Sequence, residues 1–295
     1  MPKTVLVTGA TGQLGRSIQS IAQAHPELEF TFVDRSMMDL ADPASIAARL
    51  EMNRYDFIVN CAAHTAVDKA ESEPELADRI NHLAVKQLAE TAKEQGAFLI
   101  HVSTDYVFDG CHYKPYEEDH PTDPVNRYGA TKLLGERAMQ QSGVSGAIIR
   151  TSWVYSEFGS NFVKTMLRLG AERDLLTVIS DQVGTPTYAA DLAQAIVTMI
   201  EQRVASADQT GCEVFHFSNE GACSWYDFAV EIFDLMDMDC QVKPIPATEY
   251  PTPAKRPHFS LLSKQRIKAQ LGTGIPHWKH SLKRCLQKIK EQNNG

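Results

Sequence analysis

Short apolar runs alternate with amphipathic stretches through the first two thirds of the chain. This alternation is typical of a parallel β-sheet whose strands are joined by crossover helices. Several runs are apolar at every position, as expected where both faces of a sheet are covered. The pattern predicts strands at Thr4–Thr8, Glu29–Asp34, Asp56–Asn60, Phe98–Thr104 and Ala147–Val154, and helices at Gly12–Ala24, Pro43–Met52, Glu73–Gln95 and Asn126–Gln141.

The rhythm becomes less regular after Val154, where we expect a smaller lobe to interleave with the last elements of the first. Neither an internal repeat nor a low-complexity segment is visible in the sequence. The elements predicted here are helices at Asn161–Ala171, Tyr188–Ile200 and from the cap Ser224 to Met236, strands at Leu176–Ser180 and Glu213–Ser218, and a proline-rich stretch at Pro244–Pro257.

Composition narrows the class of protein. Hydrophobic residues make up 43% of the chain and charged residues 22%, which is ordinary for a globular protein. The formal net charge is -8, and no basic block lies outside the mixed segment 279–290, so nucleic acid is not an expected partner. No stretch approaches the ~20 apolar residues of a membrane helix, and the first apolar run is too short for a signal peptide. Six scattered cysteines without a C-x-x-C pair indicate reduced thiols. A cytoplasmic protein is therefore predicted.

Three glycines follow the first predicted strand directly and open a helix: Gly9, Gly12 and Gly15. Glycine lets the backbone turn tightly beside a pyrophosphate, while the helix N-terminus offers unpaired N–H groups and partial positive charge. The strand–turn–helix context is the one that a dinucleotide site requires. The sequence therefore predicts a site for NADPH or NADH on a Rossmann-type doubly wound parallel sheet.

Two residues that end the second strand give conflicting signals about the cofactor. Asp34 is placed to accept hydrogen bonds from the adenosine ribose, which favours NAD, whereas Arg35 could pair with a 2′-phosphate, which favours NADP. We expect tolerance of both. Asp39 and Leu40 follow where the chain turns back, and they either line the adenine pocket or form a plain turn.

The predicted cofactor site divides the chain by function. Residues 1–152, joined by roughly 186–218, are expected to form the dinucleotide-binding domain. Residues 153–185 and 219–295 are expected to form a smaller α/β substrate-binding lobe.

A tyrosine and a lysine four residues apart, Tyr128 and Lys132, begin the fourth predicted helix and share one of its faces. A phenol ionises near pH ~10. A neighbouring ammonium favours the phenolate, so Lys132 is predicted to lower the pKa of Tyr128, and it can also hold the ribose hydroxyls of the nicotinamide. Hydroxyls at the end of the fourth strand can bind a substrate oxygen, but Ser103 and Thr104 point to opposite faces. The pattern alone leaves open which one serves.

The glycine turn and the Tyr-x-x-x-Lys pair together resemble the extended short-chain dehydrogenase/reductase family across nearly the whole chain. Within it, the chain is most similar to the reductases of dTDP-4-dehydro-L-rhamnose. The segments that carry this likeness are Cys61–Glu71, Ser103–Phe108, Arg150–Tyr155, Asn161–Met166 and Arg256–Pro257.

The resemblance implies reduction of the C4 ketone of a dTDP-sugar, giving dTDP-L-rhamnose. It implies that Tyr128 protonates the new alkoxide beside Lys132, and that Thr104 takes the place of the usual family serine. The other roles are carried over as follows: cofactor contacts at Gly12, Gln13, Leu14, Ala63, His64 and Thr65, and substrate contacts at Thr104, Asp105, Trp153 and Arg256.

Other interpretations remain at this stage. A nucleotide-sugar 4,6-dehydratase or 4-epimerase uses the same fold, but dehydratases resemble one another in a Thr-Asp-Glu that is Thr104-Asp105-Tyr106 here. A non-catalytic NADP-binding role is typical of the regulatory subunit of eukaryotic methionine adenosyltransferase. Some relatives dimerise through a divalent cation, to which only Asp191 could contribute here. We therefore expect no bound Mg²⁺, and a monomer or a weak metal-independent homodimer.

Overall fold

A computed structural model describes residues 1–205 and 211–294 of the chain. Its centre is a six-stranded sheet in the order β10-β5-β4-β3-β1-β2, in which every neighbouring pair is parallel. This is the predicted doubly wound α/β fold. The strands of this sheet are β1 Lys3–Thr8, β2 Leu28–Val33, β3 Phe57–Asn60, β4 Phe98–Thr104, β5 Gly146–Thr151 and β10 Cys212–Phe217.

Short strands pair in twos outside this sheet. The pairs are β6 with β9, β7 with β12, and β8 with β11. They comprise β6 Val154–Tyr155, β7 Leu175–Ile179, β8 Val183–Gly184, β9 Thr187–Tyr188, β11 Cys223–Ser224 and β12 Gln241–Ile245.

The predicted fifth strand ends three residues early. Trp153 has a φ of 48°, a conformation that an extended strand cannot contain. The backbone therefore turns out of the sheet there, and Val154 and Tyr155 pair with β9 instead.

The predicted helices are confirmed, with one interruption. The helix predicted over Glu73–Gln95 is broken into two α-helices and a π-helical turn at Arg79–Leu83, and a further helix precedes it. The helices are α1 Gln13–Ile21 with a 3₁₀ extension at Ala22–Ala24, α2 Pro43–Met52, α3 Val67–Ser72, α4 Pro74–Asp78, α5 Ala84–Gln95, α6 Arg127–Ser142, α7 Phe162–Glu172, α8 Ala189–Ala205, α9 Trp225–Leu235, α10 Gln265–Leu271 and α11 Trp278–Asn294.

Several elements of the C-terminal part were not predicted, among them β12, α10 and α11. Strand β12 carries Pro244 and pairs only with β7 in the described residues, which suits an edge strand because proline cannot donate to a ladder. Helices α10 and α11 were also missed. The apolar residues of α11 recur at helical spacing and are buried: Trp278, Leu282, Cys285, Leu286 and Ile289.

Apolar residues fill both faces of the sheet. A separate core lies among α7, α9, α11 and the short strands β6, β7 and β9, and these elements are called the smaller lobe below. Ile267, Leu271 and Ile275 pack with the sheet although they belong to the predicted substrate-binding segment. The division into two functional domains stays a prediction, and residues 206–210 of its returning segment lie outside the described residues. None of the described helices is long and apolar enough to cross a membrane.

Candidate active site

The glycine turn brings α1 unusually close to β1. Gly9 has a φ of 70°, and a Cβ on Gly15 would lie 2.3 Å from the carbonyl oxygen of Gly9. Gly12 is the N-cap of α1, and no side chain of the described residues caps this helix end. The first N–H groups of α1 can therefore face an anion, as a pyrophosphate requires. These residues fit a dinucleotide, because a side chain at Gly9 or Gly15 would fill the cradle.

The side chains of Gln13 and Leu14 face away from this turn. The Gln13 amide oxygen accepts hydrogen bonds from Ser156 and Asn161, both at 2.9 Å, which ties α1 to the smaller lobe. Leu14 is buried in the core beneath the sheet. Their backbone N–H groups are therefore the parts that can meet a phosphate.

Asp34 follows β2 directly and lies beside the glycine turn. Hydrogen bonds from the Ser36 hydroxyl and backbone N–H lower the pKa of Asp34 and keep it ionised. The exposed Arg35 guanidinium lies 3.2 Å from Asp39, and Leu40 is buried. A ribose acceptor and a cation thus both occupy this end of β2, so the ambiguity predicted between NADH and NADPH persists.

The loop after β3 carries Ala63, His64 and Thr65, and Asn81 fixes its course. Asn81 is fully buried within the π-helical turn. It accepts a hydrogen bond from the His64 N–H at 2.9 Å and donates to the His64 carbonyl oxygen at 3.1 Å. It also donates to Thr131 of α6 at 3.2 Å. Asn81 therefore joins the predicted cofactor loop to the predicted catalytic helix.

Helix α6 positions Tyr128 one turn before Lys132. Asn126 caps it by accepting from the Gly129 N–H at 2.8 Å. A Cβ on Gly129 would lie 2.1 Å from the Tyr106 carbonyl oxygen, so this glycine lets α6 press against the turn that follows β4. The rings of Tyr106 and Tyr128 meet edge to face at 5.7 Å.

The predicted effect of Lys132 on the phenol is wrong for this arrangement. The Lys132 amino group donates to the Val102 carbonyl oxygen at 2.7 Å and lies 3.3 Å from His101 Nε2. Burial raises the pKa of Tyr128 to about 12, although a hydrogen bond with Thr104 opposes this rise. Burial also lowers the pKa of Lys132 to about 8. Desolvation is therefore the largest influence on the pKa of Tyr128, and Lys132 is not among the groups that shift it.

Ser103 and Thr104 have different surroundings. Ser103 donates to Glu136 at 2.5 Å, and Glu136 pairs with Arg150 at 2.7 Å, so Ser103 belongs to a buried ionic network. Thr104 faces the other side, where it donates to Asp105 at 3.0 Å and lies close enough to Tyr128 to lower the pKa of the phenol. Thr104 is the hydroxyl beside the phenol.

Asp105 is a buried carboxyl group next to this hydroxyl. Burial raises its pKa to about 7, although hydrogen bonds from Ser260 and Thr104 oppose the rise. Its Oδ2 atom has no hydrogen-bond partner in the described part of the chain. A buried acceptor without a partner, next to Tyr128 and Thr104, is what a polar substrate could satisfy.

Trp153 stands on the smaller-lobe side and is held by Trp225, which the sequence did not single out. The two rings stack with centroids 3.6 Å apart and planes 12° apart. The positive φ of Trp153 is uncommon for a bulky residue. Strained backbone of this kind concentrates at functional sites.

A large cleft of about 1130 Å³ adjoins this aromatic pair and contains Trp225 and Arg256 in its wall. Arg256 forms a bidentate ion pair with Asp68, at 2.8 and 3.1 Å. Hydrogen bonds from Arg256 lower the pKa of Asp68. The pair joins α3 of the first lobe to the loop after β12. Arg173 and Lys255 add positive charge to the same cleft.

Residues 3–291 match the family described as RmlD substrate binding domain. The chain belongs to this family. Among curated relatives, a dTDP-4-dehydrorhamnose reductase of Sinorhizobium fredii is 42% identical over 284 residues, 95% of each chain. One of Escherichia coli is 41% identical over 293 residues, 97% of each chain.

Solved structures of this family have the same fold. A dTDP-4-dehydrorhamnose reductase of Clostridium acetobutylicum superposes with a TM-score of 0.90 at 40% identity, covering 97% of this chain and 99% of that one. One of Bacillus anthracis, in complex with NADP, has a TM-score of 0.90 at 36% identity, covering 98% and 100%. A UDP-glucose 4-epimerase of Thermus thermophilus shares the fold at 19% identity.

Proposed function

We propose that this chain is an NAD(P)H-dependent oxidoreductase that reduces the C4 ketone of dTDP-4-dehydro-L-rhamnose to dTDP-L-rhamnose. The observation that carries the proposal is that Thr104 and Tyr128 both lie against Tyr106, just after the carboxyl end of β4. Ligands bind at the carboxyl ends of the strands in doubly wound folds. The family membership and the named activity of relatives at about 40% identity support the same reaction.

Tyr128 is the proton donor in this proposal. A reduced nicotinamide, when bound, supplies the hydride, and the phenol of Tyr128 gives its proton to the oxygen of the former ketone. A pKa of about 12 keeps that phenol protonated at neutral pH, as a donor requires. Thr104 orients the same oxygen. Lys132 holds the ribose hydroxyls of the nicotinamide. Gly9, Gly12, Gly15, Asp34, Asp39, Leu40, Ala63, His64 and Thr65, with the backbone of Gln13 and Leu14, hold the cofactor.

The cleft beside Trp225 would hold the nucleotide end of the substrate. Its volume of about 1130 Å³ suits a nucleotide sugar. Arg256 would add positive charge for a diphosphate, through the N–H groups that its ion pair with Asp68 leaves available. Asp105 and Trp153 would contact the sugar, the first through its unpartnered oxygen and the second by packing.

Cofactor preference, assembly and location complete the proposal. The neighbouring Asp34 and Arg35 support use of either NADPH or NADH. We propose a cytoplasmic monomer or a weak homodimer that needs no bound metal. A dehydratase or epimerase is not favoured, because Tyr106 occupies the position of the dehydratase glutamate and the epimerases share only the fold.

Substitution of Tyr128 by Phe tests the reaction. Removing only the phenolic oxygen should reduce turnover of dTDP-4-dehydrorhamnose by about 10²–10⁴-fold, the usual value of a positioned proton donor. NADPH affinity should stay within about twofold of wild type. Absorbance at the NADPH band measures turnover, and cofactor fluorescence measures binding.

Tyr155→Phe is the matched control. Its hydroxyl is buried in the smaller lobe and has no partner among the described residues, so this variant should keep its activity. Wild-type protein that binds NADPH but turns over no nucleotide sugar would favour the non-catalytic binding role. Full activity in Tyr128→Phe would eliminate the proposed proton donor.

A further inference from the structure

The amino group of Lys132 ends a buried row of polar side chains that crosses three strands. Thr8 of β1 lies opposite Asn60 of β3, which lies opposite His101 of β4. Each is at most 2% exposed, and Lys132 is 1% exposed. Neighbouring positions of parallel strands project from the same face, so the three side chains form a line towards α6. Strand interiors of a doubly wound sheet are ordinarily apolar, and this row interrupts them.

Each link of the row is a hydrogen bond or a close polar contact. Thr8 donates to Asn60 Oδ1 at 2.7 Å and accepts from the Ala62 N–H at 3.2 Å. Asn60 Nδ2 lies 3.1 Å from His101 Nδ1. His101 Nε2 lies 3.3 Å from Lys132 Nζ. The row thus connects the start of the predicted cofactor loop, at Ala62, to Lys132 through the interior of the sheet.

The row can hold its protons in two ways. A neutral imidazole carries one N–H and one acceptor nitrogen. If Asn60 Nδ2 donates to Nδ1, the proton lies on Nε2, which donates to an uncharged amine of Lys132. If Lys132 is an ammonium that donates to Nε2, the proton lies on Nδ1, and the Asn60 amide must turn its oxygen towards it. The Thr8 hydroxyl then faces the Asn60 NH₂ group and loses that oxygen as its acceptor. In both states Lys132 also donates to Val102.

We propose that His101 is a positioning residue for Lys132, fixing its Nζ against the Val102 carbonyl and changing tautomer, together with the Asn60 amide, when Lys132 loses or gains its proton. The inference rests on the proposed function for the catalytic part of Lys132. The imidazole itself stays neutral, because burial and the adjacent lysine hold the pKa of His101 well below its usual range.

Few other ionisable groups face Lys132. Cys61 lies towards it from the end of β3, and burial raises the pKa of that thiol to about 12, so it stays uncharged. Glu136 follows one turn later on α6 and raises the pKa of Lys132, but it is paired with Arg150 of β5. Tyr128 is protonated at neutral pH. His101 is therefore the neutral side chain that can affect the position and the protonation of Lys132.

The first test follows the tautomer directly and needs no turnover. Protein labelled with ¹⁵N-histidine is titrated from pH 6.5 to 9.5, and the His101 resonances are assigned by their loss in His101→Gln. The N–H should move from Nδ1 to Nε2 with a midpoint near the Lys132 pKa of about 8. In Lys132→Met it should stay on one nitrogen throughout. The same tautomer at both ends of the wild-type titration would overturn the proposal.

The second test uses the pH dependence of kcat/KM. His101→Leu removes the acceptor, which favours the uncharged amine, so the alkaline limb should move down by about one pH unit. His101→Gln restores an acceptor and should return the limb towards wild type. His216→Leu is the control, since this imidazole is equally buried in the same sheet but contacts Arg150. A His101→Leu limb that coincides with wild type would overturn the proposal, whereas absent wild-type turnover would count against the proposed function alone.

Discussion

Two carboxyl groups four residues apart, Asp105 and Asp109, have opposite surroundings. Burial raises the pKa of Asp105 to about 7. A hydrogen bond from the Tyr116 hydroxyl, at 2.7 Å, lowers the pKa of Asp109. Aspartate in an unfolded chain ionises near pH ~3.9. As the pH rises from about 4 to 7, the unfolded chain therefore loses a proton at position 105 that the folded chain keeps.

The effect of a substitution on stability should consequently depend on pH at Asp105 and not at Asp109. Between pH 5 and 8 the ionisation of Asp105 disfavours the folded state, so Asp105→Asn should gain stability relative to wild type as the pH rises. Asp109→Asn should lose a constant amount over this window, because Asp109 titrates below it in both states. Thermal unfolding at pH 5, 6.5 and 8 measures both differences. A constant difference for Asp105→Asn would show that its carboxyl is not desolvated.

Sequence patterns located the candidate catalytic side chains better than the residues that hold those side chains in place. Alternation along a strand indicated that only one of Ser103 and Thr104 could serve, and Thr104 is the one that lies beside Tyr128. The partners Asn81 and Trp225 were not found, because nothing local in a sequence tells that a helical asparagine will reach a distant loop. The direction of the Tyr128 pKa shift was also mispredicted. The charge on Lys132 can be read from the sequence, but the burial that raises this pKa depends on the whole fold.

The contact between α1 and the glycine turn leaves no room for a methyl group. Gly15→Ala would place its Cβ 2.3 Å from the Gly9 oxygen. Helix α1 must then shift, and its first N–H groups no longer point at the phosphate position. NADPH affinity should fall at least about tenfold, the equivalent of ~1.4 kcal/mol. Gly274→Ala is the control, as its Cβ would meet nothing within 4 Å among the described residues. Fluorescence titration measures both, and unchanged affinity in Gly15→Ala would contradict a phosphate site here.

Elements with uniform patterns were predicted well, and elements with local breaks were not. Pro43–Met52 was predicted to the residue, because Asp42 caps it and Pro43 starts it. The stretch from Glu73 to Gln95 was predicted as one helix, yet Pro74 starts a new helix and a π-helical turn follows. A π-helical turn holds one more residue than an α-helical turn. Hydrophobic spacing does not show this difference, because the same spacing fits either type of helix.

At the scale of the molecule, Asp191 is engaged by protein donors. Its oxygens accept from Arg284, from Ser281 at 2.5 Å and from Asn219 at 2.7 Å. These bonds join α8 to α11 and occupy both carboxylate oxygens. Within the described residues, His25, Glu27 and Glu201 are also close enough to bind a cation, but they lie at the opposite end of the sheet, before β2.

Chelation should therefore leave the protein unchanged. We expect dialysis against EDTA to alter neither turnover nor the sedimentation coefficient, and added Mg²⁺ to restore nothing. Asp191→Ala should lower the unfolding temperature equally with and without Mg²⁺, because it leaves Arg284 and Ser281 without their acceptor. Activity that disappears on chelation and returns with Mg²⁺ would contradict metal independence.

The order of strands in the central sheet affects how the protein emerges from the ribosome. Strand β5 ends at Thr151, but its neighbour β10 starts only at Cys212, and Ile149 faces Phe215 across that pair. At ~5–20 residues per second, the nascent chain exposes an unpaired β5 edge for several seconds before β10 is made. Ile267 and Leu271, which close the same core, are made later still. A chain cut at the predicted boundary after Ser152 would lack β10 and leave this edge of β5 unpaired.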